Sequence, residues 1–275
     1  MSSRLDSGRE SVFRNVEGDA FLKGVVVSEG SRRVGVVAWL LLAALLAWVG
    51  SVARMRGMDA GPGTDLGALI SFLSIWVMMM AAMMLPAIAP VVELFVRIHR
   101  NARPALFVGG YLAVWAAYGV AAYLLFRVAR TYAPAFVSWR ERGPWVAGAG
   151  LVVAGVYQLT PLKTACLRHC RSPLHLLIRV GRGRLAGARL GVLHGGYCVG
   201  CCAGLMLGLF ALGVMSLVWM GVVTVVILAE KLAPGGSTVA RGVAVVLVGL
   251  GLWVALAPAS VPGLVQPPQG GMMRR

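Results

Sequence analysis

Long apolar stretches almost free of charged residues narrow the architecture of this chain more than any motif does. An apolar run of about 18 or more residues is long enough to cross the roughly 30 Å hydrocarbon layer as an α-helix. Seven such runs are present, at about 34–53, 66–97, 105–127, 145–162, 190–212, 214–231 and 239–257. Hydrocarbon offers peptide groups no hydrogen-bond partners, and the runs lack the in–out alternation of barrel strands. The expected fold is therefore all-α: a polytopic membrane helix bundle of about seven transmembrane helices occupying 34–258. The composition agrees, with 59% hydrophobic and only 13% charged residues.

A net charge of +16 invites a nucleic-acid reading, but the basic residues sit in the connections between spans. With the N-terminus inside, most of the Lys and Arg fall on the inner side, including Lys163, Arg168, Arg171, Arg179, Arg182, Arg184 and Arg189. That is the bias that orients membrane proteins, and it predicts N-terminus in and C-terminus out. Arg127, Arg130, Arg140 and Arg142 run against it in one outer loop. The basic inner face suits the anionic headgroups of the lipid bilayer, and no nucleic-acid partner is expected. Residues 1–33 lack the apolar core and small-residue cleavage site of a secretory leader. They read as a disordered cytoplasmic tail, and 259–275 as a flexible C-terminal tail.

Two features set this bundle apart from a plain one. The second span, "LGALISFLSIWVMMMAAMMLPAIAPVVELFVRI", packs five methionines into seven residues and then carries Pro86 and Pro90. Each proline removes a helical donor, so a kink is expected, with the carbonyls of Ala82 and Pro86 freed. At about 100° per residue, Met79, Met83, Pro86, Pro90 and Glu93 share a narrow face, with Met80 and Met84 on its flank. Glu93 and Arg97, one turn apart, are placed to pair.

The second feature is the concentration of cysteine and histidine. In "YQLTPLKTACLRHCRSPL", Cys166, His169 and Cys170 are spaced i, i+3, i+4 on a short helical stretch. In "LHGGYCVGCCAGLM" of the fifth span, His194, Cys198, Cys201 and Cys202 project from one face about 100° wide. Gly196, Gly200, Gly204 and Gly208 form a separate stripe of the kind that lets helices approach closely. Such a helix belongs in the middle of a bundle. None of the five cysteines falls in an expected outer loop, so no structural disulfide framework is expected. The other spans read as plain, the third showing only interfacial aromatics and small packing residues. Tyr197 of the fifth reads as packing or as a hydrogen bond behind the ligands, and Glu230–Lys231 as a boundary ion pair.

Thiolate, thioether and imidazole together are the ligand set that selects Cu(I), with Zn(II) a competitor where cysteine and histidine dominate. Carboxylates, which suit Mg and Ca, are nearly absent from the spans. Free cysteine and methionine also serve as ordinary apolar filler. Four soft groups on one face of one membrane helix weigh against filler alone.

The strings "WVMMMAAMMLPAIAP", "YQLTPLKTACLRHCRSPL", "HGGYCVGCC" and "LAEKLAPGG" resemble, in order, those of a bacterial family of predicted metal-binding integral membrane proteins. That family includes copper chaperones serving tyrosinase- and laccase-type oxidases. The resemblance covers roughly 66–240. It implies that the metal-related positions are Met79, Met80, Met83, Met84, Cys166, His169, Cys170, His194, Cys198, Cys201 and Cys202. It further implies a multi-pass protein of the bacterial inner membrane, with an apo-cuproenzyme as client. Ala203 departs from the pattern, standing where an aromatic often follows the double cysteine.

The expected function is thus a membrane Cu(I) chaperone without catalysis of its own. A membrane thiol–disulfide oxidoreductase using Cys198-x-x-Cys201 is the competing reading. Hard-ion transport at a broken second span is a third. No Walker-type loop or other energy source for active transport is evident in the sequence.

Overall fold

The computed structural model describes residues 34–56, 66–99, 102–133, 142–172, 174–180, 183, 185–213, 216–257 and 260. The readings of 1–33 as a disordered tail, and of 259–275 as a flexible one, concern residues almost all outside this set. Within it every regular element is helical. In chain order these are α1 (Val34–Met55), α2 (Leu69–Ile98), α3 (Pro104–Tyr132), α4 (Gly143–Gln158) and α5 (Pro161–Arg171), followed by α6 (Leu174–Arg179), α7 (Ala186–Leu212), α8 (Leu217–Leu232) and α9 (Gly236–Leu256).

By length and composition, α1, α2, α3, α7 and α9 are able to cross a membrane. The pair α4–α5, bent by 63° at the break between them, makes a sixth if taken as one span. The stretch read as a span at 214–231 is the 16-residue α8, about 24 Å long and shorter than the hydrocarbon layer. The outward faces of α1 and α9 are apolar. Leu45, Leu46 and Val49 of α1 and Val245 and Val246 of α9 are all more than half exposed. The fold is thus a helical bundle compatible with a multi-pass membrane protein.

The break between α4 and α5 is written locally. Thr160 caps α5, its hydroxyl accepting from the Lys163 N–H at 3.3 Å, and Pro161 occupies the first turn, where a missing N–H costs nothing. In α2, by contrast, the helix runs unbroken through Pro86 and Pro90. Glu93 and Arg97 pair at 3.2 Å near its end, as their spacing predicts.

Glycine decides how the helices meet. Two stripes on α7 place it against three neighbours. Gly187, Gly191 and Gly195 lie on the α3 backbone, where a Cβ at Gly191 would overlap the Phe107 carbonyl and one at Gly187 would stand 3.0 Å from the Arg103 carbonyl. Gly200 receives Cys166 of α5, and Gly204 receives Tyr157 and the Ala154 carbonyl of α4. Gly196, read as part of the second stripe, has nothing within 4 Å. A third glycine contact joins α4 to α9, where a Cβ at Gly148 would sit 2.6 Å from the Gly251 carbonyl. The opposite side is closed by α2, which packs on α3 and α8. Trp76 stacks on Phe210 of α7 with centroids 5.5 Å apart, and its indole N–H donates to the Trp115 carbonyl at 2.9 Å.

Gly191→Ala forces a methyl into the α3 backbone and should destabilise the bundle by about 1–3 kcal/mol. Gly196→Ala adds helix propensity in open space and should be neutral or stabilising by up to about 1 kcal/mol. Thermal unfolding of the two purified variants beside the parent protein reads the contrast; equal melting temperatures for both would contradict this packing.

Candidate metal centre

On α7, the sulfurs of Cys198, Cys201 and Cys202 all lie within 4.8 Å of one another, and all three residues are buried. Their 3- and 4-residue spacing puts them on one helical face. Cys201 Sγ is 3.5 Å from Cys202 Sγ and 3.6 Å from Cys170 Sγ of α5. None of the five cysteines is in a disulfide. These separations suit a thiophilic ion. With metal–sulfur bonds of about 2.3 Å, two ligating sulfurs stand roughly 3.8 Å apart in a tetrahedral site and about 4.6 Å apart in a linear one.

Cys170 reaches the cluster because α5 folds back at the break and lays its Cys166–Leu167–Cys170 side against the glycine face of α7. Cys166, half-buried, rests its sulfur on Gly200. Tyr157 locks this contact, its hydroxyl donating to the Gly200 carbonyl at 2.5 Å. His169 stands at the rim, stacked on Tyr197 with centroids 4.4 Å apart and planes 4° from parallel. Its Nδ1 is 2.8 Å from the Ala165 carbonyl, which leaves Nε2 as its outward nitrogen.

His194 falls outside the sulfur group. It is buried between Phe107 and Tyr111, with ring centroids 6.0 and 6.1 Å away, and its Nδ1 has no hydrogen-bond partner. Met79, Met80, Met83 and Met84 are buried on α2 within the same apolar core as the cysteines. Met78 of the same run faces the other way, against Gly50 of α1.

Two sequence expectations are corrected at this centre. Glu230 and Lys231 do not form a boundary pair with each other. Adjacent positions on a helix point about 100° apart, and each residue finds a partner on a different helix. Lys231 Nζ donates to Cys198 Sγ at 2.9 Å. Glu230 pairs with Lys163 of α5 at 2.6 Å, both side chains being almost wholly buried. Gln158 completes that unit, donating to the second Glu230 oxygen at 3.0 Å and accepting from Lys163. The third span is likewise not plain, since the hydroxyl of Tyr111 lies 2.9 Å from Cys198 Sγ. Tyr197 packs as the sequence suggests, with His169 as its stacking partner. One sequence signal for the first of these was available. Neither Glu230 nor Lys231 has an opposite charge three or four residues away, so each has to find its partner on another element.

The Gln158–Lys163–Glu230 unit also ties α5 to α8, reinforced by the Arg171 guanidinium donating to the Glu230 carbonyl at 2.9 Å and the Pro234 carbonyl at 3.2 Å. Lys163→Met leaves a buried carboxylate unpaired and should cost about 3–5 kcal/mol, whereas Lys163→Met with Glu230→Gln should recover most of that loss. Unfolding midpoints of the single and double variants measure the difference. A double variant no more stable than the single would show that the pair is not the controlling interaction.

No curated protein and no solved structure matches this chain. A family model does: one described as PpoB2, copper chaperone, matches residues 73–254. The match begins within α2 and ends within α9, taking in the cysteine cluster, the α4–α5 break and the Glu230–Lys231 step. Four sulfurs gathered inside a helical bundle are a donor set suited to a thiophilic ion, and by the match over residues 73–254 the chain belongs to the PpoB2 copper chaperone family.

Proposed function

We propose that this protein is an inner-membrane carrier of Cu(I) that loads an apo-cuproenzyme, such as a tyrosinase- or laccase-type oxidase. The observation that carries the reading is the buried group of Cys198, Cys201 and Cys202, with Cys170 of a second helix 3.6 Å from its middle sulfur. Soft thiolates in a dry interior favour a soft monovalent ion, and Zn(II) is the competitor for the same sulfurs.

In this reading the ion is cargo and moves by exchange between neighbouring sulfurs. Half-buried Cys166 and the outward nitrogen of His169 receive it, and Cys170 hands it to Cys201. Cys198, Cys201 and Cys202 hold it, with His194 one turn below Cys198 as a further donor. Met79, Met80, Met83 and Met84 offer thioethers for onward passage, and thioethers bear no charge to retain the ion. With the short α8 counted as a seventh crossing, the N-terminus lies inside and the C-terminus outside, and most of the basic connections face the cytoplasm.

The competing chemistries have less support. A disulfide exchanger needs sulfurs that a partner thiolate can reach, whereas Cys198, Cys201 and Cys202 are at most 1% exposed. A hard-ion site at the second span needs unwound backbone, and α2 is helical throughout.

Competition of the purified, reduced protein against a chromogenic Cu(I) chelator tests the proposal. Changing Cys198, Cys201 and Cys202 together to serine should weaken Cu(I) binding by more than about 100-fold, beyond the 10- to 100-fold effect usual for residues that only support ligands. Cys166→Ser should slow loading and leave the equilibrium affinity nearly unchanged. An unaltered affinity in the triple variant would place the copper elsewhere.

A further inference from the structure

We infer that Lys231 is the internal counter-cation of the sulfur cluster, its ammonium 2.9 Å from Cys198 Sγ balancing the charge of a Cu(I) ion held by two thiolates. This rests on the Cu(I) reading above and adds a residue that is not a ligand.

The ordinary behaviour of a lysine in the last turn of a helix is different. Its stem lies along the surface, its head stays in water, and its charge complements the helix dipole. Lys231 occupies that last turn but is only 7% exposed, and it reaches across to a sulfur of α7. An ammonium withdrawn from water is costly unless a negative charge or good acceptors compensate it. The nearest carboxylate in sequence, Glu230, is already engaged by Lys163 and Gln158 in a closed neutral unit. The compensating charge for Lys231 is therefore sulfur.

Charge counting then constrains the loaded site. Cu(I) with two thiolates is a monoanion, and one neighbouring ammonium brings the assembly to neutrality, the least costly state in a low-dielectric interior. A third thiolate would leave an unbalanced negative charge. Lys231 thus favours two-sulfur coordination with the other sulfurs held as thiols, ready to accept the ion when it moves. Tyr111 completes the arrangement by sharing Cys198 Sγ from the α3 side at 2.9 Å. Lys231 acts through Cys198, as a positioning and charge-balancing residue.

The test uses full-length protein with Lys231→Met, Lys231→Gln and Lys231→Arg. Cys198 keeps the Tyr111 hydroxyl in every variant, so no polar atom of the cluster is orphaned. Cu(I) affinity by chelator competition should fall about 10- to 100-fold in K231M and K231Q, the range typical of residues behind metal ligands. K231R, which keeps the charge, should stay close to the parent. K231Q separates charge from hydrogen bonding, and it carries the comparison with K231R should K231M fail to fold. X-ray absorption at copper should show two short sulfur contacts in the parent protein. Parent-like affinity in K231M or K231Q, a loss in K231R equal to theirs, or three short sulfur contacts in the parent would each overturn the inference. A parent protein that binds no Cu(I) would instead sink the functional reading beneath it.

Discussion

Backbone-to-backbone contact across the glycine faces of α7 is the constraint on which the rest of this structure depends. Lipid tails are as apolar as leucine, so a membrane bundle gains little from hydrophobic burial between its helices and relies on close packing. Gly187, Gly191 and Gly195 let α3 approach until Tyr111 stands beside Cys198. Gly200 and Gly204 let α4 and α5 approach on another side until Cys170 stands beside Cys201. A larger side chain on either stripe would move a whole helix, and with it one wall of the cluster.

The second organising fact is that each buried charge at the centre has a partner. Glu230 and Lys231 sit side by side in sequence, yet the first clasps α5 and the second turns to α7. The break after Gln158 makes this workable, because it frees α5 to lie across the cluster and bring both Lys163 and Cys170 inward. The α4–α5 bend therefore shapes the cysteine cluster, and the local chemistry of Thr160 and Pro161 creates it.

The glycine contacts and the paired charges together describe a site that is dry, soft and held from several helices. Membership in a copper chaperone family gives that chemistry its meaning.

Much of this was legible in the residues themselves. Charge-free runs announced helices able to enter a bilayer, and the i, i+3, i+4 spacings put Cys198 with Cys201 and Cys202, and Cys166 with Cys170, on shared faces. Local periodicity is intrinsic to a helix, so sequence determines it. The sequence did not disclose which helix each face meets. Lys231 looked like a boundary charge and Tyr111 like an interfacial aromatic, because their partners lie 33 and 87 residues away. That α2 stays one helical segment through Pro86 and Pro90 was not legible either, since each proline removes a helical donor. Spacing along one helix fixed the three sulfurs of α7; the fourth sulfur, the ammonium and the phenol came from other helices. Side-chain direction is local, but contact between distant segments depends on how whole helices pack.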